Sequence, residues 1–125
     1  MQKNERETED RQREEDRKLE ISDIVQDALF MLDRVEHKSQ SIFRYEDAYL
    51  EATSTTLEDD QKEIRASLRR HTDELREQLD KFDIKNSSHG NFLAAKKLLS
   101  SAKRLDAVGN DKLDAIRRQH PSYPI

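Results

Sequence analysis

Cysteine is absent from this 125-residue chain, which excludes disulfides and thiolate metal sites. Tryptophan is absent too, aromatic residues make up only 6%, and there are 2 glycines and 2 prolines. With so few of the two strongest helix breakers, long uninterrupted helices become the natural expectation. No apolar run approaches the roughly 18–20 residues that a membrane span requires. The opening Met1-Gln2-Lys3-Asn4-Glu5 lacks the apolar stretch of a secretory signal. These absences fit a cytoplasmic or otherwise intracellular protein that would reach a membrane only through a partner.

What is present is charge. Charged residues are 40% of the chain and hydrophobic ones 33%, against about 45–50% apolar in an ordinary globular domain. A compact single-core globule needs more apolar material than this. Elongated helices need less, because each buries only a narrow stripe. High charge with few aromatics is also the signature of disorder. The apolar residues are strictly periodic from about residue 19 onward, however, and disorder is rejected there. The net charge of −4 is unevenly spread. Residues 1–90 hold 16 Lys/Arg against 24 Asp/Glu, whereas residues 91–125 hold 7 Lys/Arg against 3 Asp. An acidic first part and a basic last part can seat helices on one another, within or between chains.

Residues 1–18 are almost entirely polar and form either a charged N-terminal stalk or a disordered tail. The pairs Glu7/Arg11, Glu9/Arg13 and Glu14/Lys18 have the favourable i,i+4 orientation, each worth about 0.2–0.5 kcal/mol in a helix. A regular seam follows at Ile21, Val25, Ala28, Leu32, Val35, Ser39, Ile42, Glu46, Tyr49 and Thr53. Steps of four and three are the a/d pattern of a coiled coil, and Leu29, Phe43 and Leu50 widen the stripe toward a bundle.

The run Thr53-Ser54-Thr55-Thr56 interrupts it, because hydroxyl side chains compete for backbone hydrogen bonds. Thr55 and Glu58 have capping-box spacing, with Asp59 and Asp60 suited to the positive end of a helix dipole. The apolar register changes at the same place, to Leu57, Gln61, Ile64, Leu68, His71, Leu75, Gln78 and Phe82, with Leu79 alongside. A hairpin turn explains this; so does a stutter inside one helix of roughly 100 Å. Lys85–Gly90 reads as a loop, with Ser88 or Asn91 as the next cap. A third helix then carries Ala95, Leu98, Leu99, Ala102, Leu105 and Val108. Gly109-Asn110 reads as its C-cap, and a short last helix holds Leu113 and Ile116.

The expected fold is therefore all-α: long amphipathic helices in an antiparallel hairpin or three-helix bundle with coiled-coil segments. Helices are placed at about 19–52, 57–84, 91–108 and 111–119, within a domain spanning 19–119, and an extended tail at 120–125. Packing or interface positions are Ile21, Val25, Leu32, Val35, Ile42, Leu57, Ile64, Leu68, Leu75, Leu79, Phe82, Leu98, Ala102 and Leu105.

Catalysis finds no support. There is no Gly-rich phosphate loop, no nucleophile elbow and no nucleophile beside a recognisable base. His37, His71, His89 and His120 lie on separate segments without metal-site spacing, and nothing calls for a cofactor or metal. His71 falls on the second seam, where a histidine gives pH-sensitive packing at most. Polar residues at seam positions (Ser39, Glu46, Gln61, His71, Gln78) either select register and partner or simply face solvent. Lys96, Lys97, Lys103 and Arg104 recur at seven-residue spacing on one face of the third helix. They are candidate contacts for an acidic partner. The expected function is that of a non-catalytic interaction subunit, a structural or adaptor component that docks on other helical proteins or on itself. Trafficking, tethering, cytoskeletal and viral scaffolding proteins share this general style. The alternative is a nucleic-acid-associated protein whose basic third helix, with Lys112, Arg117 and Arg118, tracks phosphates. No aromatic stacking set accompanies those residues, and nucleic acid is the weaker partner class.

Overall fold

The computed structural model describes the backbone of residues 2–119 and the side chains of residues 6–119. Three helices and no strand are found among them: α1 Gln2–Thr53, α2 Asp59–Asp80 and α3 His89–Gln119. They form a three-helix bundle in which α1 and α3 run parallel and α2 runs antiparallel to both. The tail expected at 120–125, with Tyr123-Pro124-Ile125, and His120 lie outside the described residues.

α1 begins in the charged segment rather than at residue 19. Residues 6–16 are exposed throughout, and contact with the rest of the bundle starts at Arg17, whose guanidinium donates to the Ser87 carbonyl at 3.2 Å. Residues 2–16 thus form a helical arm projecting about 22 Å beyond the bundle at 1.5 Å per residue. Farther along, Ile21, Val25, Ala28, Leu32, Val35 and Ile42 are buried, four of them wholly enclosed. Heptad spacing alone puts these side chains on one face.

The turn at 53–56 is a hairpin connection, not a stutter. The Ser54 amide donates to the Glu51 carbonyl and the Thr55 amide to the Leu50 carbonyl, the paired bonds of a Schellman stop. Ser54 sits at its left-handed position with φ 51°, a conformation glycine adopts without steric cost. Ser54→Gly is therefore expected to raise unfolding stability by about 0.5–1 kcal/mol, read from the urea midpoint. An unchanged or lower midpoint would contradict the cap. The Thr55/Glu58 capping box is not formed: α2 starts at Asp59, and its N-cap residue Glu58 makes no side-chain cap bond. Thr55 bonds instead to Thr53, Oγ1 to Oγ1, at 2.6 Å.

α2 is also shorter at its far end, stopping at Asp80 with Lys81 as C-cap. The following loop is laced by Asn91, whose Nδ2 donates to the Asp83 and Asn86 carbonyls, both at 2.8 Å. Ser88 Oγ accepts from the Asn91 amide at 3.2 Å, so α3 starts at His89, two residues before the sequence expectation. Gly109-Asn110 does not end a helix. α3 runs continuously to Gln119, and Gly109 is buried against Lys38. A Cβ at Gly109 would meet the Lys38 stem at 3.7 Å, an ordinary contact, and its φ is not positive. Gly109→Ala should thus stabilise by about 0.5–1 kcal/mol through helix propensity. A loss in thermal melting would show that the close approach is tighter than this spacing.

The core has two apolar clusters. One gathers Ile21, Val25, Ala28, Leu32, Leu75, Leu79, Ala95 and Ala102; the other gathers Ile42, Phe43, Tyr45, Leu68, Leu113 and Ile116. Ala95, Ala102, Gly109 and Ile116 are heptad-spaced on α3, and the small ones among them let α1 and α3 pack closely. A more polar layer lies between the clusters, with Ser39, Thr72 and Asp106 buried. Thr72 satisfies its own hydroxyl by donating to the Leu68 carbonyl at 2.7 Å.

Candidate interaction face

Each interhelical ion pair among the described residues includes α1. Toward α2, Arg65 makes a two-pronged contact with Asp47 at 2.8 and 3.2 Å, and Arg76 reaches Asp33 at 2.6 Å and Glu36 at 2.9 Å. The residue spacing between these pairs is the same on both helices, which fixes one antiparallel register. Phe43 sits between them, with the Arg65 and Arg69 guanidinium carbons 4.3 and 4.8 Å from its ring centroid. Toward α3, Lys38 Nζ donates to Asp106 Oδ1 and Asn110 Oδ1, both at 2.6 Å. Lys112 Nζ donates to Glu46 Oε1 at 2.9 Å.

Electrostatics at the α1–α2 contact follow from this geometry. The hydrogen bond from Arg65 holds the Asp47 carboxyl below its ordinary pKa, aided by the nearby charges of Arg65 and Arg69, against some desolvation. Arg65 and Arg76 are pushed the other way by their hydrogen bonds to Asp47 and Asp33. A carboxylate with a folded pKa below its unfolded one stabilises the fold above that unfolded value, about 3.9, and the gain disappears as pH falls through the folded one. Asp47 is 63% exposed in its side chain, so solvent screening holds the gain below about 1 kcal/mol. Asp47→Asn should therefore lose less stability than the native chain between pH 7 and pH 3, measured by urea melts at both. Equal losses would show that the pair is idle.

Between α2 and α3 no ion pair forms among the described residues. A groove of about 330 Å³ runs there, lined by His71, Glu74, Leu75, Gln78, Ser101, Arg104, Leu105 and Val108. A larger recess of about 670 Å³ lies on the outer side of α2. Its walls are mostly charged side chains of that one helix, among them Lys62, Arg69, Asp73 and Glu77, so it is a surface concavity without an opposing element.

The groove corrects the expected seam of α2. Leu68, Thr72, Leu75 and Leu79 are the buried positions, a stripe rotated away from Ile64, His71 and Gln78. Ile64 is 40% exposed, not a core residue, and His71 and Gln78 are exposed on the groove lip. His71 Nδ1 lies 3.3 Å from Ser67 Oγ and plays no part in the core. Leu57, Phe82, Leu98 and Leu105 are half-buried rather than enclosed, and Val108 is 45% exposed. Ile21, Val25, Leu32, Val35, Ile42, Leu68, Leu75, Leu79 and Ala102 are buried. Of the polar seam positions, Ser39 is buried, Glu46 and Gln61 are half-buried. Asp106 and Tyr45, both buried, escaped the sequence reading. Asp106 lies one residue beyond Leu105 with no local sign that its cation, Lys38, comes from α1.

The basic residues of α3 divide. Lys112 is consumed by Glu46, and Lys96 lies over the Phe92 ring at 4.6 Å. Lys97, Lys103 and Arg104 are exposed and enter no ion pair among the described residues. No group of three or more His, Asp or Glu among those residues is arranged to hold a metal ion. No helix among them is long and apolar enough to cross a membrane. No family model matches the chain, and neither a curated protein nor a solved structure is similar enough to count as a match.

Proposed function

We propose that this chain is a non-catalytic helical interaction subunit, a structural or adaptor component that docks on further helices. The observation that carries this reading is the incompletely covered apolar strip along the α2–α3 groove. Val108 faces solvent there and Leu105 lines it half-buried, while Ile64, exposed as well, lies one heptad before the groove residue His71 on α2. Apolar positions placed by heptad spacing yet left open are what a further helix would cover. The projecting charged arm of α1 suits the same role, since it adds length without adding core. Trafficking, tethering, cytoskeletal or viral scaffolding assemblies are settings in which such a subunit serves.

Sedimentation equilibrium and circular dichroism over a dilution series, with uptake of an anilinonaphthalene sulfonate dye, test this reading. Expected is either concentration-dependent association or, in a folded monomer, dye fluorescence that falls in an Ile64→Glu/Val108→Glu variant of unchanged helicity. A chain that stays monomeric and fully helical at sub-micromolar concentration, and takes up no dye, would contradict it.

A further inference from the structure

The walls of the α2–α3 groove differ in charge. Of the side chains that line it, the α2 wall carries Glu74 and the α3 wall Arg104. Farther out the α2 face adds Asp60, Glu63 and Arg70, and the α3 face adds Lys97, Asp111 and Arg118. The register set by the ion pairs to α1 brings Glu74 level with Arg104, and both line the same groove. Neither forms an ion pair within the chain among the described residues, so both charges face outward unspent.

A groove with Glu74 on one wall and Arg104 level with it on the other is self-complementary under a twofold axis parallel to the helices. Such an axis lays α2 of each copy on α3 of the other, antiparallel and at the same height. Resting on the interaction-subunit reading, we propose that the occupant of this groove is a second copy of the chain, giving a symmetric six-helix dimer. Glu74 of each copy then meets Arg104 of the other, while Val108 and Leu105 are covered at the centre. The residue that would oppose Lys97 with like charge, Lys81, is paired with Glu77 at 2.6 Å, which offsets part of that repulsion. An axis perpendicular to the helices would instead set α2 on α2, acid against acid, and is disfavoured. The face is two helices wide and about 30 Å long, which at interaxial spacings near 10 Å offers roughly 600 Å² per copy. That is close to the lower bound of a specific interface. Because the axis is parallel to the helices, both charged arms leave the dimer from the same end.

Charge reversal with mixing tests the proposal. Glu74→Arg places Arg against Arg104 of the other copy, twice per dimer, and Arg104→Glu places Glu against Glu74, also twice. Each variant alone should weaken dimerisation at least about tenfold with helicity unchanged in circular dichroism. An equimolar mixture of the two should dimerise like the native chain, because every contact in the mixed dimer is again between opposite charges. A pairing that acted only within one chain would give no such rescue. The proposal is overturned if the native chain stays monomeric to about 100 µM, a concentration that a specific interface of this size should satisfy. It is equally overturned if the single variants associate like the native chain, or if mixing restores nothing. A native chain that stays monomeric but takes up dye would remove the second copy and leave the interaction reading standing. A monomer that takes up none would remove both.

Discussion

Leu32→Ala is expected to cost about 3 kcal/mol of unfolding stability, within the range of roughly 2–5 for enclosed leucines. Leu32 has no exposed surface, and it sits in the cluster where α1, α2 and α3 all meet. Its neighbours there include Leu75 and Leu79 from α2 and Ala95 and Ala102 from α3. The alanines cannot extend to fill a cavity, so collapse would have to come from backbone movement, and the closely packed α1–α3 pair resists that. A chain of this size shifts its melting temperature by roughly 4 °C per kcal/mol, so a fall of about 12 °C should be read calorimetrically. A loss under 1 kcal/mol would mean that Leu32 is not enclosed as described.

Lys38→Met should be nearly as costly, about 2–3 kcal/mol in urea unfolding, because it strands a carboxylate. The Lys38 and Asp106 side chains are 17% and 13% exposed, and removing one partner of a largely buried pair leaves an uncompensated charge. Lys38 also satisfies Asn110 and packs its stem against Gly109, a stem that methionine replaces and a charge that it does not. Asp106→Leu on the same background should recover most of the loss, since an apolar pair of similar volume often equals a buried ion pair. Additive losses in the double variant would show that the two side chains do not depend on each other.

These effects also explain which parts of the fold could be read from residues alone. The α1 seam was legible because six apolar positions, Ile21 to Ile42, repeat without competition from another register. The break at 53–56 was legible because hydroxyl residues oppose helix locally, whatever surrounds them. The phase of α2 was not. Its two available seams share Leu68 and Leu75, and Leu79 reads as a packing position alongside them. The burial of Thr72 in place of Ile64 and His71 goes with Arg65 and Arg76 reaching carboxylates of α1. Nothing within α2 announces those partners. α3 passing through Gly109 was hidden for the same reason: the local penalty of about 1 kcal/mol is outweighed by a neighbour 71 residues earlier in the chain, Lys38. Of the interaction face, the residue types were visible in sequence as a seam. Its openness was not, because a seam says which side chains share a face and not how much of it is covered.

At the centre of this account is an unequal bundle: α1 and α3 are closely packed, while α2 is joined to them more loosely, through Leu68, Leu75 and Leu79 and through the Arg65 and Arg76 pairs to α1. Native-state hydrogen exchange, at concentrations low enough to keep the chain monomeric, measures that inequality directly. Amides of α1 near Ile21–Ile42 and of α3 near Ala95–Ile116 should share the highest protection, with those of α2 exchanging through a separate opening of lower free energy. Added salt, which screens the exposed parts of the Arg65 and Arg76 pairs, should lower α2 protection further while leaving α1 and α3 nearly unchanged. Protection in α2 equal to that of the other two helices, and insensitive to salt, would contradict it.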